Sequence, residues 1–95
     1  PDFPGGLSGL REYLKKSIQY PKKAFRAGEE GQVTIEFTID PKGNVINAQV
    51  VKSVSAKLDK EALRIIESMP QWKPGMQRGK AVRVKYTVPV MFRLQ

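Results

Sequence analysis

Apolar residues recur at Leu7, Leu10, Leu14 and Ile18, a spacing of three and four that lines one stripe of a helix about three turns long. Tyr13 lies beside the stripe, while Arg11, Glu12, Lys15 and Lys16 lie off it. The two lysines fall in the last turn, where cations complement the helix dipole, and Pro21 stops the helix. Gly9 weakens it slightly. Residues 1–6, Pro-Asp-Phe-Pro-Gly-Gly, form an entry segment in which no regular structure is expected.

Further on the period changes. Val33, Ile35, Phe37 and Ile39 alternate with Gln32, Thr34, Glu36 and Thr38, the pattern of a strand with one buried side. Asp40-Pro41-Lys42-Gly43 is a tight-turn sequence, and a second strand follows over residues 45–54. Its alternation falters at Ile46-Asn47-Ala48, where a bulge is expected. Leu58, Ala62, Ile65, Ile66 and Met69 mark a second amphipathic helix, with Asp59 and Glu61 near its start and Pro70 at its end. Residues 71–79 read as a Trp/Pro/Gly loop. The strongest period comes last: Val82, Val84, Tyr86, Val88, Val90, Phe92 and Leu94 alternate with Arg83, Lys85, Thr87, Pro89, Met91 and Arg93, giving a long third strand.

The order α-β-β-α-β predicts an α+β fold with both helices on one face of an antiparallel sheet whose other face is polar. The hairpin runs up and down, and the second helix returns the chain. The third strand must then pair with the first, so the strand order is 2-1-3 and the last strand is an edge. Ninety-five residues fit a single domain. No run of eighteen apolar residues exists to span a membrane. The abrupt opening at Pro1, without Met, reads as a piece of something longer.

Cysteine and histidine are both missing from the chain, which removes thiol chemistry, the usual nucleophile–base pairs and most transition-metal sites. Asp59 and Glu61 stand two apart and do not face each other on a helix, and Glu29-Glu30 sits in a turn between glycines. The chain is therefore expected to be no enzyme and to hold no cofactor or metal. Its net charge of +8 is lopsided, with no acidic residue after Glu67, which favours an acidic partner, a nucleic acid or an anionic surface over a neutral one. Gly28-Glu29-Glu30-Gly31 has the form of a phosphate-clamping GxxG loop, but its glutamates would repel phosphate. Phe37 lies on the buried face, so the strand offers no exposed aromatic for base stacking, and nucleic acid is the weaker reading. Trp72 is expected in the core rather than as a recognition anchor, and Met76 and Met91 as filler or surface.

What remains is the edge. Lys, Arg and one Pro on its solvent face would guard it against chance pairing. The same edge could take an extended peptide as a further strand. Pairing arguments alone leave both readings open.

A longer string of residues bears on that choice. Phe3-Pro4-Gly5-Gly6, Tyr20-Pro21 with Ala24, Gly28, Gly31 with Val33 and Phe37, Ile39-Asp40 with Gly43, and Ser53 come first. Leu58-Asp59 with Glu61-Ala62-Leu63-Arg64, Met69-Pro70 with Trp72, Pro74-Gly75, Gly79, and residues 82–92 follow in order. Together they resemble the TonB C-terminal domain, in the form common in Bacteroidetes-type bacteria. Enterobacterial members differ after Tyr20-Pro21, where this chain reads Lys22-Lys23-Ala24-Phe25-Arg26.

The resemblance implies two helices over a three-stranded sheet. It also implies a periplasmic location, with an inner-membrane tether through an N-terminal region absent from this chain and coupling there to motor proteins. The implied partner is an outer-membrane transporter, whose TonB-box peptide adds to the last strand. The implied peptide-binding residues are Arg83, Val84, Lys85, Tyr86, Thr87, Val88, Pro89, Val90 and Met91. Similar domains on membrane-embedded sensor peptidases, where they act in ligand binding or interaction, and strand-exchanged homodimers are alternatives.

Overall fold

A computed structural model describes residues 2–94. Pro1, the first residue of the expected entry segment, and Gln95 lie outside the described residues. Three helices and five strands follow one another as α1 (Gly6–Ser17), α2 (Lys22–Arg26), β1 (Gly31–Ile39), β2 (Val45–Lys52), α3 (Ala56–Glu67), β3 (Gly75–Gln77), β4 (Lys80–Val82) and β5 (Val84–Phe92). The main sheet is antiparallel with order β2-β1-β5, the arrangement the chain direction predicts.

The β1 alternation resolves as expected: Val33, Ile35, Phe37 and Ile39 are fully buried. Opposite them on α3, Leu58, Ala62, Ile65 and Ile66 are buried too. Val88, Val90 and Phe92 of β5 close the same core. The Asp40 turn is an Asx turn, its Oδ1 accepting the amides of Lys42 and Asn44 at 2.9 Å each. Those bonds, the Asn44 amide first, hold the Asp40 carboxyl below its ordinary pKa against a smaller upward push from burial. Ser55 caps α3 by accepting the Leu58 amide at 3.3 Å. Trp72 is a core residue, packed among Phe3, Phe37 and Tyr86. A Cβ at Gly43 would run into the Trp72 carbonyl. The bare glycine lets its own carbonyl accept the Trp72 amide at 2.8 Å, tying the β1–β2 turn to the core tryptophan.

Several expectations need correction. The entry segment is not structureless: Asp2 bridges to Lys73, and α1 begins at Gly6. Two helices become three: α1 already ends at Ser17, with Ile18 as its C-cap, so Pro21 does not stop it and instead precedes the short α2 as its N-cap. The segment read as a loop holds β3, which turns through Arg78 and Gly79 into β4. Their φ values of 52° and 77° are those of a type I′ hairpin turn. The long third strand is accordingly shorter, since Val82 belongs to β4 and Leu94 lies beyond β5. The bulge expected in β2 is present: register slips between Glu36 and Thr38, with Asn47 at φ 54°.

Candidate functional site

β5 forms one margin of the main sheet, and its outer side has no partner strand among the described residues. Its register against β1 runs without a slip from Gly31↔Phe92 to Ile39↔Val84. Pro89 stands opposite Thr34. Proline has no N–H, so this pair cannot exchange ladder bonds, and the pairs on either side must do so. Val84, Tyr86, Val88 and Val90 therefore turn their main-chain groups inward to β1. Lys85, Thr87, Pro89 and Met91 turn theirs outward. The free margin offers the amides of Lys85, Thr87 and Met91 and the carbonyls of all four.

Side chains obey the same parity. Val88 and Val90 are buried, Val84 and Tyr86 half-buried, and Lys85, Thr87, Pro89 and Met91 exposed. The margin is thus accessible while its strand is anchored in the core. Of the nine residues assigned to the site, Arg83 alone lies outside the strand, at the break between β4 and β5.

The sequence gives no sign of what stands beside this margin. α1 runs past it, leaving a cavity of about 260 Å³ between Leu7, Leu10 and Leu14 on one side and Tyr86, Val88 and Pro89 on the other. Further cavities of about 200 Å³ and 410 Å³ adjoin the two ends of α1 and of β5. The helix is held in place from α3. The Tyr13 hydroxyl donates to the Ile65 carbonyl at 2.8 Å, Arg64 donates to the Ser17 carbonyl at 3.0 Å, and the Gln19 amide donates to Glu61 at 2.8 Å. Glu61 also accepts both Nε and Nη2 of Arg64, at 2.7 and 2.8 Å. Burial pushes the Glu61 carboxyl up, but Arg64 and the Gln19 amide more than offset it and hold it below the ordinary carboxylate value. The Glu61-Ala62-Leu63-Arg64 motif is therefore a clamp on the C-terminal end of α1.

Glu29, Glu30 and Asp59 also have structural partners. Glu29 accepts the Ser55 hydroxyl at 2.7 Å, Glu30 the Leu94 amide at 3.3 Å, and Asp59 the Ser53 hydroxyl and the Val54 amide. No cluster of three metal-ligating side chains occurs among the described residues.

Comparison with known proteins places this geometry in a family. Residues 16–94 match the model for the Gram-negative bacterial TonB protein C-terminal. Protein TonB of Vibrio cholerae is 35% identical over 80 residues, which is 81% of this chain and 32% of that protein. Protein TonB of Xanthomonas campestris is 35% identical over 79 residues, covering 80% of this chain and 34% of that protein. The chain thus spans about a third of the length of the curated relatives it matches. The solution structure of the Helicobacter pylori TonB C-terminal domain superposes with TM-score 0.68 at 27% identity, covering 92% of this chain and 91% of that one. That of Pseudomonas aeruginosa TonB gives 0.63 at 30% identity, covering 81% and 78%. A shared pattern across nearly the whole sheet, joined to the same fold, makes this chain a member of the TonB C-terminal domain family.

Proposed function

We propose that the chain is the periplasmic, partner-binding domain of a TonB-type energy transducer and catalyses nothing. On this reading the TonB-box peptide of an outer-membrane transporter adds as a strand to the outer margin of β5. Lys85, Thr87, Pro89 and Met91 make the main-chain bonds. Val84, Tyr86, Val88 and Val90 fix the strand to β1, and the Arg83 charge draws an acidic partner. Pull derived from the proton-motive force reaches the peptide through an inner-membrane tether and its motor proteins, and serves nutrient uptake. The observation that carries the reading is the unbroken β5 register with Pro89 facing out. It makes the margin a regular template and keeps the missing donor away from the core ladder.

Such a contact is small. A seven-residue strand buries well under the roughly 1,200 Å² of a stable interface, so micromolar or weaker affinity is expected. Under load, however, hydrogen bonds pulled along the strand direction share the strain. Titrating the isotope-labelled chain with a transporter-derived peptide should shift amide resonances from Lys85 to Met91. Shifts that leave β5 untouched would overturn the proposal.

A further inference from the structure

Helix α2 carries Lys22-Lys23-Ala24-Phe25-Arg26, a stretch that the β5 margin does not involve. Only Ala24 is buried. With about 3.6 residues per turn, the crest opposite it carries Lys22 and Arg26, with Lys23 on one shoulder and Phe25 on the other. Phe25 stays 55% exposed, its ring set edge-on against Tyr20 at 5.7 Å. Single exposed apolar residues are commonplace, but this one stands among cations.

α2 packs on α3. Beside Pro21, at the start of α2, lies a hollow of about 280 Å³. The Pro21 ring and the side-chain stems of Lys57, Lys60 and Arg64 wall it, and such stems cover apolar surface while their charged ends stay in water. Glu61, the carboxylate at the hollow, is already engaged by Arg64 and the Gln19 amide. Among the described residues, no carboxylate comes within 4.0 Å of the charged groups of Lys22, Lys23, Arg26, Lys57 or Lys60.

The face thus combines unbalanced cations, an apolar hollow and an exposed ring. An inorganic anion would use the charges and leave the ring idle. An extended acidic peptide would want free main-chain partners, which helices do not offer along their sides. A surface that is anionic at its headgroups and apolar just beneath matches all three features. We propose that the α2–α3 face docks on an anionic phospholipid bilayer. Lys22 and Arg26 meet the phosphates, Phe25 enters the boundary between headgroups and acyl chains, and Lys57 and Lys60 hold further headgroups. Each cation near such a surface strengthens binding by about fivefold, so the contact is reversible. The face lies at the Phe92 end of β5, where Tyr20 stands between Phe25 and Phe92. A docked domain therefore keeps Lys85 clear, roughly 23 Å along the strand from Phe92.

The test mixes the chain, at low salt, with vesicles of phosphatidylcholine alone or of phosphatidylcholine and phosphatidylglycerol in equal parts. Only the anionic vesicles should sediment the protein. Lys22→Ala with Arg26→Ala should weaken that partition at least about tenfold. Lys73→Ala with Lys80→Ala removes the same charge beside and within the β3–β4 hairpin, and should leave partition within about twofold. Phe25→Trp adds a reporter to the buried Trp72, and its emission should move to the blue on the anionic vesicles. All five positions are exposed, so the variants should melt with the parent. Equal losses in the two double variants would mean that net charge alone drives binding, and would overturn the docking face. Sedimentation that ignores the anionic lipid, or fails with both vesicles, would overturn it as well. An unshifted tryptophan, with soluble polyglutamate bound as tightly as the vesicles and lost in the α2 variant, would assign the face to an acidic chain and overturn the lipid reading.

Discussion

The sheet has two margins, and they are built differently. β2 and β5 are both outer strands, of eight and nine residues. β2 slips register twice against β1, and Asn47 turns into the left-handed region to make one of the slips. β5 never slips. A bulge twists a strand and breaks the even row of donors and acceptors, which is how proteins spoil a margin they do not use. Helix α3 also packs mainly over β2, whereas α1 stands off β5 and leaves a trough. An open margin is therefore not in itself a binding site. Regular spacing beside unfilled apolar space distinguishes the one worth testing.

The largest expected effect probes the inward and outward parity of β5. Tyr86→Pro removes a donor to β1 and should destabilise the domain by about 3 kcal/mol or more. Lys85→Pro removes a donor facing outward and should melt within a few degrees of the parent while losing peptide affinity. Thermal unfolding and peptide titration on both variants decide the matter. Equal destabilisation would mean that the parity is wrong.

Next comes the clamp that holds α1 beside β5 and has no counterpart at β2. Glu61 is only 9% exposed, and its carboxyl titrates below its ordinary value of 4.5. Its stabilisation is complete above that value and is lost as pH falls through the lower folded one. Glu61→Gln should cost about 1–2 kcal/mol at neutral pH and flatten the acid limb of the stability profile. Denaturant melts between pH 7 and pH 3 would show both. An unchanged acid limb would remove Glu61 as its source.

Charge should act more gently. Arg83→Glu with Lys85→Glu should slow association with an acidic peptide, chiefly at low salt where the screening length exceeds about 10 Å, with little change in melting. Stopped-flow rates that ignore salt would reduce the basic margin to a solubilising role. The smallest effect belongs to β2. Asn47→Gly should stabilise by a few tenths of a kcal/mol, since glycine suits the left-handed conformation that asparagine merely tolerates. Peptide binding should not change. Altered binding there would mean that the two margins are coupled.

The legible parts of the fold were those with period. The alternation of β1 and β5, the Asp40 turn and the stripes of α1 and α3 fixed layer, topology and edge. α2 was hidden because five residues hold too little period to distinguish a helix from a loop. The β3–β4 hairpin was hidden for a different reason. Its turn residues are Arg78-Gly79 rather than Asn-Gly, and arginine seldom signals a positive φ. The last strand was readable to within two residues at each end. The trough was not, because its walls lie some seventy residues apart in the chain and nothing in either stretch names the other. Nor did the motif Glu61-Ala62-Leu63-Arg64 announce its task. The partners it clamps, Ser17 and Gln19, are backbone groups with no sequence signature.

Pro89 has one more consequence, for crowding rather than for grip. Suppose that two copies of this domain met margin to margin in antiparallel fashion, with Thr87 facing Thr87. Each Lys85 would then face a Pro89, and each proline would leave one carbonyl of the other copy without a donor. Any register spanning both prolines forfeits two bonds, whereas a proline-free peptide on the same margin forfeits one. Crowded side by side, such domains would find a proline-free strand a better match than each other, and the stack of like strands that begins a fibril would stall at its first step.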